Sequence, residues 1–359
     1  MKNLALSLKK WRTESNKTML ELSAKTGIDQ ALLSKYETGK RVPSEKHLVQ
    51  LSEAMHIDFS EIKKELLADK IAKLVQYEQN YAEILMVAES RVEYLTSNQA
   101  LILPELPTGY TEKLDKLDKL KNQLKALKPL QGSALYKLKE YFRIQYTYDS
   151  NQIEGNTLTL KETHLVINEG ITVGGKSMRE HLEAINHAEA VDFIEDLVSG
   201  KEKFNRRSLL EVHRLVLKSI DNENAGRFRN VPVRISGSQH VPPQPYLLEK
   251  MMEEYFMHYE IQKKRMHPVL LAAEMHERLV SIHPFIDGNG RTSRLIMNFI
   301  LLQNGYTITS LKGDLTSRKR YYDALEAVQV DNDTTPFYDL IIEKAEESLK
   351  EHIELSSPV

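Results

Sequence analysis

The run from His283 to Arg291, which reads HPFIDGNGR, constrains this chain more than any other stretch. Gly288 and Gly290 allow backbone conformations that turn successive N–H groups toward one point, which makes an anion-binding nest. The residues from Arg291 to Leu302 have a helical pattern, so the nest would open onto a helix N-terminus. Free N–H groups and the helix dipole favour negative charge at such an end. The run therefore predicts a glycine loop and a helix that together bind phosphate.

Four side chains in or beside this run can do chemistry on a phosphate. Asp287 can hold Mg²⁺ against the phosphates, because that ion typically takes one or two carboxylates in addition to substrate oxygens. Arg291 and Arg294 carry planar guanidinium groups that suit phosphate oxygens. His283 is the side chain most easily poised as a general base near neutral pH. A lone histidine or G-x-G is usually structural, but this combination predicts transfer of a phosphoryl-type group.

Composition limits the class of protein. The chain has 359 residues, which predicts two to three domains, and its hydrophobic (41%) and charged (28%) contents are those of a soluble protein. A net charge of −2 gives no overall bias toward nucleic acid or an anionic membrane. The absence of cysteine excludes disulfides and thiolate metal sites. No apolar run is long enough for a signal peptide or a membrane span, so we expect a cytoplasmic protein with no membrane partner.

Residues 1–60 predict a separate small helical domain. Thr18 and Glu21 have the spacing of a capping box that starts a helix, and Gly27 breaks that helix. Asp29 can cap a second helix, which Gly39 closes. The stretch resembles the Xre-type helix-turn-helix family.

That resemblance implies a surface that could read a DNA major groove. The residues facing the groove would be Gln30, Ala31, Ser34 and Lys35. Residues 1–48 hold ten Lys or Arg against five Asp or Glu, which is a mild basic excess. Asp29 and Glu37 lie on or near the reading helix and would repel phosphate. DNA binding and a protein-docking or dimerising role therefore both stay open, and so does a homodimer.

The rest of the chain is predicted to be helical with one exception. Residues 61–110 predict a helical linker, and residues 111–359 predict a helical domain that ends in C-terminal helices. Within 227–243 the apolar residues alternate before a Gly-Ser pair, which predicts a β-hairpin. The stretch Gly170–Ser177 fits the phosphate-binding pattern GxxxxGK[ST], but a helical pattern precedes it in place of a strand. We therefore do not predict a P-loop there.

The run 283–294 resembles the signature of the Fic family, HPFx[DE]GNGRxxR, and matches it at every position. The resemblance implies a mainly α fold, with a Fic helical core and a β-hairpin flap, and AMP transfer from ATP to a protein hydroxyl. It gives Asn289 and the glycine N–H groups contacts to the α- and β-phosphates, and it gives Arg294 the γ-phosphate. Tyr322 would contact the adenine, whereas the role of Gln329 is in doubt because relatives often have Asn there.

Two further segments resemble parts of the same family. Residues 150–155 resemble an inhibitory segment, [S/T]xxxE[G/N], which implies that Ser150 and Glu154 restrain the site by pairing Glu154 with Arg294. The hairpin resembles the Fic flap, which implies docking of the target as an added strand. Its docking residues would be Val231, Val233 and Ile235.

The sequence therefore predicts an autoinhibited, Mg²⁺-dependent protein adenylyltransferase whose acceptor is a Ser, Thr or Tyr hydroxyl, in a target protein or in itself. Two alternatives stay open. One is removal of AMP from a modified protein at the same site. The other is a DNA-binding regulator that uses the Fic core as a nucleotide sensor.

Overall fold

The computed structural model describes residues 2–89, 110–127 and 132–357. The chain forms two compact units, Met1–Glu105 and Leu106–Val359. The predicted linker at 61–110 lies partly outside the described residues, which do not include 90–109. Its boundaries stay a prediction.

The first unit is helical and has its own core. Its helices are α1 (Lys2–Glu14), α2 (Met19–Thr26), α3 (Gln30–Glu37), α4 (Glu45–Met55) and α5 (Phe59–Val75), and residues 81–89 are also helical. Their apolar faces meet in one cluster, which includes Leu8, Leu22, Leu33, Leu48 and Ile62.

Local signals fix the ends of α2 and α3. Thr18 and Glu21 form the predicted capping box, and Gly27 ends α2 in the left-handed conformation with a φ of 71°. The Asp29 carboxylate caps α3 by accepting hydrogen bonds from two N–H groups in its first turn. Helix, glycine turn and second helix thus follow from side chains that satisfy free backbone groups.

The second unit is a larger helical domain. Its helices are α6 (Tyr110–Ala126), α7 (Gly132–Ile153), α8 (Leu160–Asn168), α9 (Met178–Ser199), α10 (Arg206–Val216), α11 (Leu248–Gln262), α12 (Pro268–Ile282), α13 (Asn289–Gln303), α14 (Leu315–Asp331) and α15 (Thr335–Ser356). A short 3₁₀ helix, Pro245–Leu247, precedes α11. Among all helices of the described ranges, none is both long and apolar enough to cross a membrane.

Helix α13 forms the centre of the second unit. It packs against α7, α9, α10 and α12, and nearly all of its residues are buried. A helix surrounded in this way has no solvent-facing side, which explains why every residue from Leu295 to Leu301 except Asn298 is apolar. The buried Asn298 amide is paired with the backbone of Thr309. The packing fixes the N-terminus of α13, where the sequence predicts the phosphate nest.

The segment 227–243, here called the flap loop, departs from its prediction. A turn forms at Gly237, but no residue described in this segment is in a strand. The Arg229 guanidinium donates to the carbonyl oxygens of Val231 and Pro243, so these acceptors do not pair across the loop. Three prolines in the segment also lack the N–H that a strand ladder needs. The mainly α fold is confirmed, whereas an open loop replaces the predicted hairpin.

Candidate active site

The loop from His283 to Gly288, here called the motif loop, joins α12 to α13. The Asn289 side-chain oxygen accepts the Phe285 N–H at 3.0 Å, and its side-chain N–H donates to the Phe285 carbonyl at 2.9 Å. Gly288 has a φ of 78° and turns the chain into α13. Because the amide of Asn289 is committed to the loop, its backbone N–H at the helix start is the group left to face an anion.

His213 holds the motif loop from α10, and the sequence did not indicate it. Its Nδ1 accepts the Gly226 N–H at 2.9 Å, so Nε2 carries the proton and donates to the Asp287 carbonyl at 2.9 Å. Its ring stacks on Phe285 at 3.6 Å between centroids. Burial lowers the pKa of His213 to about 4, which keeps the ring neutral and this tautomer fixed.

His283 ends α12 in the left-handed conformation, with a φ of 50°. Its Nδ1 lies 3.2 Å from the Val280 carbonyl, which can only accept, so Nδ1 carries the proton and Nε2 keeps its lone pair. Burial lowers the pKa of His283 to about 4. The Val280 hydrogen bond opposes this change, and the positive charge of Arg229 adds to it. The ring is therefore in its basic form at neutral pH.

Arg229 ties the flap loop to the motif loop, and none of its hydrogen-bond partners in the described part of the chain is a carboxylate. The side chain is 4% exposed, and its Nε donates to the His283 carbonyl at 2.8 Å. Its other nitrogens donate to Val231 and Pro243, and its backbone N–H donates to the Pro284 carbonyl. Burial lowers the pKa of Arg229 from its ordinary value. The sequence did not predict this role, because the acceptors of Arg229 among the described residues are backbone oxygens.

Asp287 lies beside three N–H donors. Its Oδ2 accepts from Arg179 on α9 at 2.6 Å, and its Oδ1 accepts from the Gly288 N–H at 2.6 Å and from Arg291 at 3.4 Å. Burial acts to raise the pKa of Asp287, but Arg291, the Gly288 N–H and Arg179 outweigh it and hold the pKa below its usual value. The carboxylate is therefore ionised and, at 39% side-chain exposure, open to one side.

These features suit a magnesium ion that takes most of its ligands from substrate and water. Groups of three or more His, Asp or Glu that could hold a metal are absent from the described parts of the chain. A single ionised carboxylate next to a phosphate nest is nevertheless enough for Mg²⁺ in nucleotide sites.

Arg291 points into the protein with donors to spare. It is 2% exposed, and its guanidinium lies 3.4 Å from both Asp287 and Glu183 of α9. Its Nε and Nη1 have no hydrogen-bond partner among the residues that the structure describes. Buried donors without partners are costly, so a phosphate oxygen at this position would be stabilised.

Arg294 is paired with the predicted inhibitory segment. Its Nε donates to the Ser150 hydroxyl and its Nη2 to the Ser150 carbonyl, both at 2.9 Å. The same Nη2 donates to Glu154 Oε1 at 2.7 Å. Arg294 is 1% exposed and Glu154 is 31% exposed at the side chain, so the pair lies at the boundary between the interior and the site.

Glu154 also covers the nest. A Cβ built on Gly290 would collide with Glu154 Oε1 and lie 3.1 Å from Arg294 Nη1. The lack of a side chain at position 290 thus allows the carboxylate to lie directly against the first turn of α13. The structure brings Glu154, Arg294 and the glycine nest into one site.

Tyr322 and Gln329 lie on α14. The Tyr322 hydroxyl donates to the Ile153 carbonyl at 3.3 Å, and its ring is 42% exposed with Arg318 above it. Gln329 donates to the Ser281 hydroxyl at 3.1 Å. Tyr322 therefore borders the inhibitory segment, whereas Gln329 contacts the last turn of α12.

The remaining predicted residues lie elsewhere. Val231 of the flap loop is exposed, and Val233 and Ile235 are half-buried. On α3 of the first unit, all four predicted groove-facing residues are exposed: Gln30, Ala31, Ser34 and Lys35.

The stretch Gly170–Ser177 is not a phosphate loop. The Lys176 ammonium donates to the Thr157 carbonyl and hydroxyl, so the lysine of the pattern is already used. Ser177 caps α9 in a capping box with Glu180. The prediction against a P-loop is consistent with this arrangement.

Comparison with known sequences identifies two regions. Residues 203–301 match the Fic/DOC family, and residues 8–62 match a helix-turn-helix family. The chain is 33% identical over 354 residues to the protein adenylyltransferase Fic of Culex quinquefasciatus, covering 96% of this chain and 68% of the mosquito protein. It is 34% identical over 289 residues to the protein adenylyltransferase Fic of Drosophila grimshawi, covering 79% of this chain and 58% of the fly protein.

Solved structures are similar in fold. Fic-1 of C. elegans aligns with a TM-score of 0.61 at 25% identity, covering 99% of this chain and 98% of that one. A Fic-domain signalling protein of Bacteroides thetaiotaomicron aligns with a TM-score of 0.61 at 28% identity, covering 67% and 97%. With the motif loop, the buried α13 and the matched sequence regions, these similarities show that the chain belongs to the Fic/DOC family and carries a helix-turn-helix region at its N-terminal side.

Proposed function

We propose that this protein transfers AMP from ATP to a hydroxyl group of a protein, and that Glu154 holds it inactive. The observation that carries the proposal is the hydrogen bond from Arg294 to Glu154, directly beside Gly290 and the start of α13. Its relatives from Culex and Drosophila are named protein adenylyltransferases, which supports the same reaction here. An acceptor within the protein itself fits the chemistry equally well.

The transfer step follows from the residues of the motif loop. Nε2 of His283 accepts the proton of the Ser, Thr or Tyr hydroxyl as its oxygen attacks the α-phosphorus of ATP. The bond from the α-phosphorus to the bridging oxygen breaks, and pyrophosphate leaves. The N–H groups at the start of α13 and the unpaired donors of Arg291 stabilise the charge on the phosphates. Mg²⁺ bound at Asp287 would neutralise part of that charge.

The proposed brake acts through the negative charge of Glu154 and through the position that its carboxylate occupies beside Arg294 and the nest. Glu154 occupies one nitrogen of Arg294, which is the guanidinium that the Fic resemblance assigns to the γ-phosphate. A carboxylate beside the nest also repels an incoming polyphosphate. ATP would then bind with its α-phosphate out of line with the hydroxyl. Release of Glu154 is therefore expected to activate transfer.

The test is label transfer from α-labelled ATP with Mg²⁺. It compares the wild type, Glu154→Gly, and Glu154→Gly combined with His283→Ala. Label on protein only in the single variant would establish transfer, brake and base together. The absence of label in every lane would overturn autoinhibited self-modification.

Removal of AMP uses the same site and needs a separate measurement. Glu154 lies against Gly290 at the start of α13, and its charge acts to raise the pKa of the His283 ring, so it could orient a water in place of the acceptor hydroxyl. Modified protein made by the Glu154→Gly variant would be incubated with the wild type. Release of AMP by the wild type, but not by Glu154→Gln, would assign hydrolysis to this carboxylate.

We also propose that residues 1–60 bind DNA through α3. Both acidic residues near α3 make hydrogen bonds within the domain, but only Glu37 is withdrawn from the surface, and Asp29 stays exposed at the start of the helix. Glu37 is 8% exposed and accepts two hydrogen bonds from Arg12, at 2.6 and 3.0 Å, and Asp29 caps α3. The exposed residues of α3 itself are Lys35 and three neutral residues, and the exposed carboxylate of Asp29 lies at the N-terminal end of the helix.

Fluorescence polarisation with labelled duplex DNA at several salt concentrations tests this proposal. Lys35→Ala is expected to weaken binding and to lower the slope of log affinity against log salt by about one ion. Lys64→Ala is the matched control, since Lys64 is an exposed lysine of α5 that pairs with Glu61. Equal affinities of the two variants, or no binding at low salt, would contradict a role for α3 in DNA binding.

A further inference from the structure

Arg179 occupies the carboxylate that a metal would use. Its Nη2 lies 2.6 Å from Asp287 Oδ2, although the two residues are 108 positions apart in the chain. Arg179 belongs to the first turn of α9, outside the motif loop and α13. A guanidinium at hydrogen-bond distance from a carboxylate oxygen is a cation in the position that a divalent ion would take.

The other oxygen of Asp287 does not offer a way around this contact. Oδ1 accepts the Gly288 N–H at 2.6 Å and lies 3.4 Å from Arg291. Both partners belong to the motif itself, and Arg291 is buried and fixed. Arg179 is the exposed member of the set, since 58% of its side chain is accessible, whereas Arg291 is buried. A metal ion that binds Asp287 Oδ2 on the side where the guanidinium lies must therefore displace Arg179.

Arg179 has a second carboxylate partner, which lowers the free energy needed to displace it from Asp287. Its Nε donates to Glu183 Oε1 at 3.1 Å, one helical turn away on α9. Glu183 is held in place by a hydrogen bond from Asn156, directly after the inhibitory segment. When Arg179 leaves Asp287 it keeps the Glu183 carboxylate, so its charge is not left unpaired.

We propose that Arg179 is a built-in substitute for the metal ion, which holds Asp287 in the metal-free protein and lowers its affinity for divalent cations. This inference rests on the proposed function, in which Asp287 carries the Mg²⁺. The Arg179 contact is distinct from the Glu154 brake, because it acts on the metal carboxylate and Glu154 acts on Arg294. The site thus has two separate restraints, one on the metal and one on the phosphate.

Direct titration with Mn²⁺ alone, followed by electron paramagnetic resonance of the free ion, tests the inference without any activity measurement. Arg179→Gln removes the charge and is expected to bind Mn²⁺ about two- to fivefold more tightly than the wild type, as suits an exposed ion pair. Arg206→Gln is the control, since Arg206 also forms an exposed pair, with Glu249, and should leave the affinity unchanged. Asp287→Asn should abolish the site in both the wild-type and the Arg179→Gln backgrounds.

The Mn²⁺ affinities of these variants either support or overturn the role proposed for Arg179. Equal affinities of wild type and Arg179→Gln, with binding lost in Asp287→Asn, would overturn the inference and leave the proposed function standing. Binding that survives Asp287→Asn would overturn the metal assignment and the inference with it, whereas the label-transfer experiment would still judge AMP transfer. No measurable binding in any variant would also overturn it. Arg179→Lys keeps the charge, and its affinity should stay nearer to the wild type than that of Arg179→Gln.

Discussion

Replacing Glu154 by Gln separates the charge of the proposed brake from its volume. Glutamine keeps the size of the side chain and an oxygen that accepts from Arg294, but it loses the negative charge. A hydrogen bond to a charged partner contributes about 1.5–3 kcal/mol, and a neutral one about 0.5–1.5 kcal/mol. The Arg294 end of the bond stays charged in this variant, so we expect Glu154→Gln to weaken the brake by about 1 kcal/mol.

The rates should follow the same order. A weakening of about 1 kcal/mol corresponds to roughly fivefold faster AMP transfer, and complete loss of the bond in Glu154→Gly to about ten- to hundredfold. The assay is the initial rate of label transfer from α-labelled ATP at saturating ATP and Mg²⁺. A Glu154→Gln variant as slow as the wild type, beside an active Glu154→Gly, would refute the electrostatic reasoning and indicate a brake that works by filling space.

Glu154→Gly is also expected to destabilise the protein in the absence of ATP. Arg294 is 1% exposed, and Glu154→Gly leaves it with Ser150 as its hydrogen-bond partner among the described residues. We expect the free energy of unfolding in urea to fall by about 1–3 kcal/mol. Glu249→Gln is the control, because its partner Arg206 is exposed and its loss should change little. ATP should restore more stability to Glu154→Gly than to the wild type, since the phosphate can take the place of the carboxylate.

Three further predictions concern histidines. In Glu154→Gly, kcat/KM should stay flat between pH 8 and 6 and fall only as the pH approaches the His283 pKa of about 4. The reason is that the base is neutral above its pKa, and removal of Glu154 lowers that pKa further. Half-maximal activity at pH 6 or above would contradict this prediction. His213→Ala should lower the free energy of unfolding by about 1–3 kcal/mol, because the Asp287 carbonyl and the Gly226 N–H lose their hydrogen-bond partner. In the Glu154→Gly background it should also slow label transfer. An unchanged rate would show that the motif loop does not need this ring. Burial holds the pKa of three histidines, His187, His213 and His276, below the unfolded value of about 6.5. Their contribution to the free energy of unfolding is therefore complete above that pH and is lost as pH falls, by about 1.4 kcal/mol per pH unit for each histidine. Glu277 partly offsets this loss, because burial raises its pKa to about 7. Urea unfolding at pH 7, 6 and 5 measures the slope, and equal stability at all three would refute this account.

The sequence predicted best those features that depend on neighbouring residues. The capping box of Thr18 and Glu21 and the left-handed turns at Gly27 and Gly288 are set by local hydrogen bonds and by the conformations open to glycine. The helix after the motif loop was predicted from Arg291 and begins at Asn289. Family membership followed from the same short run, because its residues are contiguous.

The features that the sequence missed depend on contacts between distant segments. Three side chains hold the motif loop from other parts of the fold: His213 from α10, Arg229 from the flap loop and Arg179 from α9. His213 and Arg229 bind largely backbone oxygens, which any residue supplies, so the sequence carries no signal for these contacts. The hairpin prediction was wrong for a related reason. Alternating apolar residues at 231–235 satisfy the strand pattern, but the buried Arg229 takes the carbonyls that strand pairing would use.

The order of Glu154 and Arg294 along the chain has a consequence for how the protein is made. Glu154 precedes its partner by 140 residues. A ribosome builds the chain from its N-terminus, so the segment 150–155 has already been synthesised when α13 emerges. Under the proposed function, a core that folds during synthesis meets Glu154 at once, and each new molecule begins in the restrained state. An inhibitor encoded after the motif would leave an interval in which an unrestrained core could modify whatever protein lay nearest.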